Sequence, residues 1–213
     1  MSNPYDKIAH VYDKAFLYKT SLVEDELVYG WLDKFLHKSS IIDLGCGTGA
    51  FLEHLKWEDY IGIDLSKRMV HLAKKKFPHH SFVICDMRKL PFKANTFKNV
   101  VSLYGPISYA GKQALLEAQR VLTNGGRFFH MAFTEKYAKR KTYILNRLKL
   151  KLNFVPYSGL ASVVEHKTKG FNVYGDSLEK LPKQLIKILM LFDPVSKINK
   201  FSSYFIIMYG EKK

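Results

Sequence analysis

The stretch Ile41-Ile42-Asp43-Leu44-Gly45-Cys46-Gly47-Thr48-Gly49 constrains this chain more than any other. An apolar strand pattern runs straight into a loop with glycine at 45, 47 and 49, and Ala50 and Phe51 then open a helical pattern. Glycine has no Cβ, so such a loop takes unusual backbone angles and lets a ligand approach the main chain. The N–H groups at the start of the following helix lack intrahelical partners and are free to donate. A strand–loop–helix unit of this kind suits a polar ligand lying across the end of a strand. It narrows the chemistry to nucleotides and nucleotide-like cofactors.

The loop alone leaves the ligand open. Gly45, Gly47 and Ala50 satisfy the dinucleotide pattern G-x-G-x-x-G/A, and Asp64 follows Gly45 by 19 residues, where a ribose-binding acid is expected. Against a dinucleotide stand Asp43, which would place a negative charge close to a pyrophosphate, and the extra glycine at 49. Asp86, after a third strand pattern, supplies a further acid. Two acids at successive strand ends suit a ligand with one ribose and one adenine amino group.

Several ordered segments then carry a resemblance. Asp43–Gly49, Tyr60-Ile61-Gly62-Ile63-Asp64-Leu65-Ser66 and Cys85-Asp86-Met87 resemble the class I S-adenosylmethionine-dependent methyltransferases, in particular their ubiquinone/menaquinone methyltransferase-like, small-molecule branch. Phe92–Val101 is similar to that family's approach to its fourth strand, and Leu122–Phe128 to its turn into the fifth. The resemblance covers about residues 40–133 in order. It implies a Rossmann-like α/β sandwich with a mostly parallel seven-stranded sheet and an antiparallel C-terminal strand. It also implies S-adenosylmethionine as cofactor and S-adenosylhomocysteine as product.

Composition restricts the setting. The chain has 213 residues, 47% of them hydrophobic, which suits one domain with a sizeable core. No apolar run approaches the roughly 20 residues of a membrane-spanning helix. The N-terminus lacks a signal-peptide core. The two cysteines, Cys46 in the glycine loop and Cys85 at a strand end, form no disulfide framework and have no metal-ligand spacing. A reducing cytoplasm and no metal site are the expectation. The 34 Lys and Arg outnumber the 19 Asp and Glu, a net charge of +15. Such an excess suits RNA, an anionic membrane surface or a lysine-rich solvated face.

Along the chain, Tyr5, Ile8, Ala9, Tyr12, Phe16 and Leu17 give residues 5–20 an amphipathic helical period. Thr20 or Ser21 is placed to cap a second helix, with Glu24, Asp25 and Glu26 in its first turn. Strands are expected at 41–44, 60–63, 81–85, 98–103 and 126–133, helices at 50–56, 66–76 and 112–122, with Ser66 capping the second of these. A helical run at 181–192 and a last strand in Ser203–Lys212 follow. This alternation predicts a mainly parallel sheet covered on both faces. The reading is a single domain, with residues 1–38 a helical lid, 39–133 the cofactor-binding core, 134–175 a variable substrate cap, and 176–213 a C-terminal helix and strand. Residues 134–170 carry nine Lys or Arg against two acids, interleaved with leucines and aromatics. That pattern suits a pocket cover, a docking surface for anionic lipid or RNA, or an ordinary solvated helix.

The resemblance implies roles for particular residues. Gly45 and Gly47 lie along the cofactor chain, Asp64 accepts from both ribose hydroxyls, and Leu65 packs on the adenine face. Asp86 meets the adenine amino group, with the Met87 backbone beside it. Asp43 orients the glycine loop or meets the methionine amino group through water, and Leu103 neighbours the methionine end. Tyr5 and Tyr12 are assigned to a cofactor-enclosing rim, and Tyr104, Tyr109 and His130 to the acceptor side. The sequence Ser102-Leu103-Tyr104-Gly105-Pro106 departs from the Asn/Asp-Pro-Pro-aromatic motif of many amino-group methyltransferases. No catalytic residue is assigned, because in-line methyl transfer depends first on alignment. The expected activity is methyl transfer to a small, apolar or lipid-like acceptor. RNA or protein methylation and non-catalytic cofactor binding are the alternatives, and no required protein partner is evident.

Overall fold

The computed structural model describes residues 3–16, 19–133, 171–173 and 205–212. A short helix, α1 (Pro4–Ile8), leads through two 3-10 turns, Ala9–Val11 and Asp13–Phe16, to α2 (Lys19–Phe35). Strands β1 (Ile41–Leu44), β2 (Tyr60–Asp64), β3 (Ser81–Ile84), β4 (Phe97–Ser102) and β5 (Leu122–Phe133) alternate with α3 (Ala50–His54), α4 (Lys67–Lys76), α5 (Pro106–Ala110) and α6 (Lys112–Val121). Two further strands, β6 (Phe171–Val173) and β7 (Phe205–Lys212), complete one seven-stranded sheet in the order β3-β2-β1-β4-β5-β7-β6. β1 to β5 pair in parallel, and β7 runs antiparallel to both β5 and β6.

β1 is an interior strand, and every one of its residues is buried. A parallel strand covered on both faces reads as a continuous apolar run, and Ile41-Ile42-Asp43-Leu44 breaks that run only at Asp43. Successive side chains alternate between the faces. Ile41 packs with Val28, Leu32, Phe51 and Phe129, while Ile42 and Leu44 pack with Ile63, Val100, Leu115 and Ala118 on the other side. Asn99, fully buried, donates to the carbonyls of His37 and Ser40 (2.8 and 3.2 Å) and accepts from the His37 N–H (2.9 Å). It thereby ties the entry of β1 to β4.

The expected strands are all present, and Ser66 caps α4 by accepting from the Met69 N–H. The differences lie where tertiary contacts override local pattern. Residues 5–20 do not form one helix. Asn3 caps α1 through the Tyr5 N–H, and the turns that follow swing Asp13 onto Thr48 and Lys76. α2 begins at Lys19, so Thr20 and Ser21 lie within it and the acids at 24–26 fall beyond its first turn. Packing of its Val28 and Leu32 face, continued by Leu36 just past its end, sustains that helix more than cap chemistry does. α5 is an addition that follows two left-handed residues, Tyr104 (φ 57°) and Gly105 (φ 94°). β5 starts early because Leu122 already pairs with Phe97, before an irregularity brings Arg127 opposite Asn99. Residues 171–173, read with the cap, belong to the sheet edge. The cap at 134–170 and the helical run at 181–192 lie outside the described residues. Among the described residues no helix is long and apolar enough to cross a membrane.

Candidate functional site

The sheet changes direction between β1 and β4: the chain leaves β1 toward β2 on one side and β4 toward β5 on the other. In open α/β sheets the crevice outside the strand ends at such a point is where ligands bind. The glycine loop opens there. Gly45 and Cys46 both donate to the Ile63 carbonyl (2.8 and 2.9 Å), which folds the loop across the end of β2. Gly45 has φ 82°, and a Cβ on it would lie 2.4 Å from the Pro106 Cβ. The loops after β1 and β4 therefore touch, and only glycine permits the contact. Gly47, at φ 55°, faces more open space, its nearest prospective neighbour being the Tyr12 ring at 4.0 Å.

Two carboxylates stand beneath the loop. Asp64, at the end of β2, accepts from the Gly47 N–H through one oxygen (3.0 Å) and the Ser66 N–H through the other (2.8 Å). Burial raises its pKa, and these backbone donors pull the other way. Asp43 is 3% exposed and accepts from the Tyr60 hydroxyl at 2.9 Å. Burial, reinforced by the nearby Asp64 charge, pushes its pKa up to about 7. The pair concentrates negative charge at the strand ends.

The N-terminal segment lies over this charge. The Tyr5 ring meets Tyr12 and Tyr109 edge-on, at centroid distances of 6.1 and 6.3 Å. Tyr12 is pushed up to about 12 by burial and by Asp64, so it stays neutral. Two aspartates fasten the segment. Asp6 accepts from the Ser66 hydroxyl (2.6 Å) and the Arg68 N–H (3.1 Å), and Asp13 accepts from Thr48 (2.5 Å) and Lys76 (2.6 Å). Lys76 also reaches Glu53 at 2.6 Å. The hydrogen bond from Ser66 is the main reason that the Asp6 carboxyl lies below its usual range.

On the β2–β3 side, Leu65 is 56% exposed beside Asp64, and Ile84 is 49% exposed. A large apolar side chain left open beside a half-buried acid is a surface that a flat ring would cover. The Met87 methyl lies 3.5 Å from the position of a Cβ on Gly45. Asp86 is gripped by Arg88, whose Nε sits 3.0 Å from each carboxylate oxygen, and this ion pair lowers its pKa.

At the end of β4, Leu103 is buried, and the Tyr104 hydroxyl donates to Asp25 of α2. Asp25 in turn lies 3.7 Å from His54 Nε2, and the His54 ring stacks on Tyr29 at 4.3 Å. His130 is 1% exposed within the sheet, opposite Ser102, and burial holds its pKa down at about 3. Its Nδ1 and the Ser102 hydroxyl have no hydrogen-bond partner. Among the described residues no group of three His, Cys, Asp or Glu is arranged to hold a metal ion.

The structure thus brings Gly45, Gly47, Asp43, Asp64, Tyr5, Tyr12 and Tyr109 together around one crevice, with Leu65, Met87 and Tyr104 at its edges. His130 is set apart within the sheet. Asp6, Asp13 and His54 escaped the sequence reading, and Asp25 entered it only as a helix-turn acid. Asp25 carries no motif signal, and its pattern reads equally as a helix-dipole acid.

Known proteins place this geometry. Residues 41–126 match a methyltransferase domain family. An uncharacterized protein of Methanocaldococcus jannaschii is 30% identical over 156 residues, covering 66% of this chain and 71% of its own. The ubiquinone/menaquinone biosynthesis C-methyltransferase of Campylobacter jejuni is 35% identical over 106 residues, 45% of each chain. The crystal structure of an S-adenosylmethionine-dependent methyltransferase from Thermotoga maritima shares the fold with a TM-score of 0.68 at 20% identity, covering 98% of both chains. The chain spans about half the length of several curated relatives that it matches, the Campylobacter enzyme among them. With its strand order, its glycine loop and its strand-end acids, the chain belongs to the class I S-adenosylmethionine-dependent methyltransferases, enzymes whose methyl donor is S-adenosylmethionine.

Proposed function

We propose that this protein transfers the methyl group of S-adenosylmethionine to a small, apolar or lipid-like acceptor by in-line displacement and releases S-adenosylhomocysteine. The observation that carries the reading is the pairing of Gly47 with Asp64 beneath a tyrosine rim at the β1–β4 switch point. The residues fit the cofactor. The two Asp64 oxygens offer about four lone-pair sites, enough to take a ribose diol while keeping both backbone donors. The exposed Leu65 offers an apolar face to adenine, and Asp86 retains lone pairs for its amino group. Asp43, Gly45 and Gly47 border the methionine chain.

When bound, the cofactor supplies a methyl group on a positively charged sulfur. Neutral tyrosine faces attract such a cation without neutralising it. Burial keeps Tyr12 protonated and suited to that part. The clasped N-terminal segment excludes water and holds the reactants in line. Alignment of this kind accounts for as much as about 7–11 kcal/mol of a barrier in favourable cases.

Two relatives support a small acceptor: the Campylobacter enzyme and a demethylmenaquinone methyltransferase of Thermotoga maritima, 27% identical over 129 residues. The basic stretch 134–170 is read as a cap whose lysines and leucines accept an apolar molecule with an anionic group or rest on an anionic lipid surface. The net charge of +15 favours RNA as the second reading. Incubation with methyl-labelled S-adenosylmethionine and, separately, a reduced short-chain quinone, structured RNA or a cell-extract protein fraction distinguishes them. Label entering the quinol supports the proposal. Label entering only RNA or protein overturns it.

A further inference from the structure

Tyr104 is one of two non-glycine residues with positive φ among the described residues, the other being Asn95 in a turn. For a bulky aromatic residue that conformation is a genuine outlier. Strained residues persist where their surroundings over-determine them, and they gather at functional sites. Here the surroundings are visible. Gly105 and Pro106 follow at once, Pro106 abuts Gly45, and the Tyr104 hydroxyl is fixed on Asp25. Asp25 continues to His54, and Tyr29 holds the His54 ring flat, with 11° between the planes. Four residues from three separate parts of the chain therefore form one line, from the end of β4 outward. The His54 and Asp25 side chains keep 30% and 20% of their surface exposed, so the outer end of that line reaches water.

We propose, building on the methyl-transfer reading above, that Tyr104, Asp25 and His54 form a proton relay that deprotonates an acceptor bearing a removable proton. In the step, the acceptor's nucleophilic atom bonds to the methyl carbon while the carbon–sulfur bond breaks and leaves its electron pair on sulfur. The acceptor's proton passes to the Tyr104 oxygen as the Tyr104 hydroxyl proton moves to the Asp25 carboxylate. The proton then crosses the 3.7 Å from Asp25 to His54 Nε2 by way of a bridging water and passes on to solvent. Charge balances, since the sulfonium becomes a neutral thioether and one proton is released. Tyr104 is the group that touches the acceptor, whereas Asp25 and His54 act through it. Burial raises the Asp25 pKa and makes it a stronger base than a free carboxylate. Among the described residues the titratable groups acting on Asp25 are Tyr104, His54 and Glu53, and Tyr29 feels the charges of both Asp43 and Asp25. A purely structural clasp between α2 and β4 would need the same hydrogen bond but not the proton chemistry.

The test uses the full chain and the variants Tyr104→Phe, Asp25→Asn and His54→Gln. Calorimetry with S-adenosylhomocysteine reads the cofactor site. Transfer of labelled methyl to a naphthohydroquinone and to nicotinamide, whose ring nitrogen has no proton to lose, reads the chemistry. Wild type is expected to methylate the hydroquinone. Tyr104→Phe and Asp25→Asn then lower kcat about 100-fold, the scale of general base catalysis, with KM and S-adenosylhomocysteine affinity unchanged. Asp25→Asn also abolishes the acid limb of the kcat profile, and His54→Gln shows a smaller loss that added imidazole buffer restores. An unchanged kcat in Tyr104→Phe overturns the relay. So does a parallel loss of S-adenosylhomocysteine affinity, which would make the trio a cofactor clamp. Wild type that binds cofactor yet methylates nicotinamide alone, or neither probe, overturns it too. Failure of wild type to bind S-adenosylhomocysteine would instead sink the methyltransferase reading itself.

Discussion

Asp43 shows how a single buried acid, placed at the proposed cofactor site, costs stability. Its folded-state pKa of about 7 stands above the 3.8 of a free carboxyl. Between those values the folded chain holds a proton that the unfolded chain has lost, so stability falls as pH rises through the window. Asp64, also raised, acts in the same direction. His130 has the opposite sign: with a folded pKa near 3 against 6.5 when free, it costs stability as pH drops from 6.5 toward 3. Asp43→Asn should therefore raise Tm at pH 7.5 and flatten the decline between pH 4 and 7, while weakening S-adenosylhomocysteine binding. A Tm lowered equally at all pH values would contradict this account. The glycines make a second contrast. Gly45→Ala meets Pro106 at 2.4 Å in a left-handed conformation, whereas Gly47→Ala meets nothing closer than 4.0 Å. The first should cost about 2–4 kcal/mol in urea unfolding, a clash added to backbone strain, and the second about 1–2 kcal/mol. Equal losses would deny that the β1 and β4 loops are in contact. Gly45, Asp43 and Asp64 were legible because a motif fixes their spacing. Asp25 and His54 were not, since their contact joins positions that no local pattern relates.

Elements were legible where periodicity and burial agree. The buried run of β1 and the Ser66 cap of α4 are both written in the local sequence. The N-terminal segment was not, because its turns depend on partners far along the chain: Asp6 on Ser66 and Arg68, Asp13 on Thr48 and Lys76. Its proposed role as a lid leads to a kinetic expectation. Asp6→Ala with Asp13→Ala removes both fastenings without touching the tyrosines. The exposed Asp13–Lys76 pair contributes about 0–1 kcal/mol and each hydrogen bond of Asp6 about 0.5–1.5 kcal/mol, so Tm should fall only modestly. Stopped-flow dissociation of S-adenosylhomocysteine should nonetheless accelerate several-fold, because the rim closes less of the time. Unchanged dissociation would reduce the segment to packing.

At the scale of the molecule, alternation of strands and helices predicts the parallel sheet, and the terminal apolar run predicts β7. The edge strand β6 was not legible, since three residues give no period to read. The charge of +15 is a whole-molecule property whose consequence depends on where it faces. Replacing Lys139, Arg140, Lys141, Arg147 and Lys149 with glutamine should leave S-adenosylhomocysteine affinity intact. It should also abolish salt-sensitive binding to anionic vesicles or raise KM for an acceptor. Wild-type behaviour in both assays would mark a solvated face.

The central claim is that the β1–β4 crevice holds S-adenosylmethionine with Asp64 on its ribose. Isothermal titration of S-adenosylhomocysteine into wild type and Asp64→Ala, with folding checked by circular dichroism, tests it directly. The charge-assisted hydrogen bonds lost should cost about 1.5–3 kcal/mol, a roughly 10- to 150-fold weaker Kd. Unchanged affinity in a folded Asp64→Ala protein, or tight NADH binding by a wild type that ignores S-adenosylhomocysteine, would contradict it.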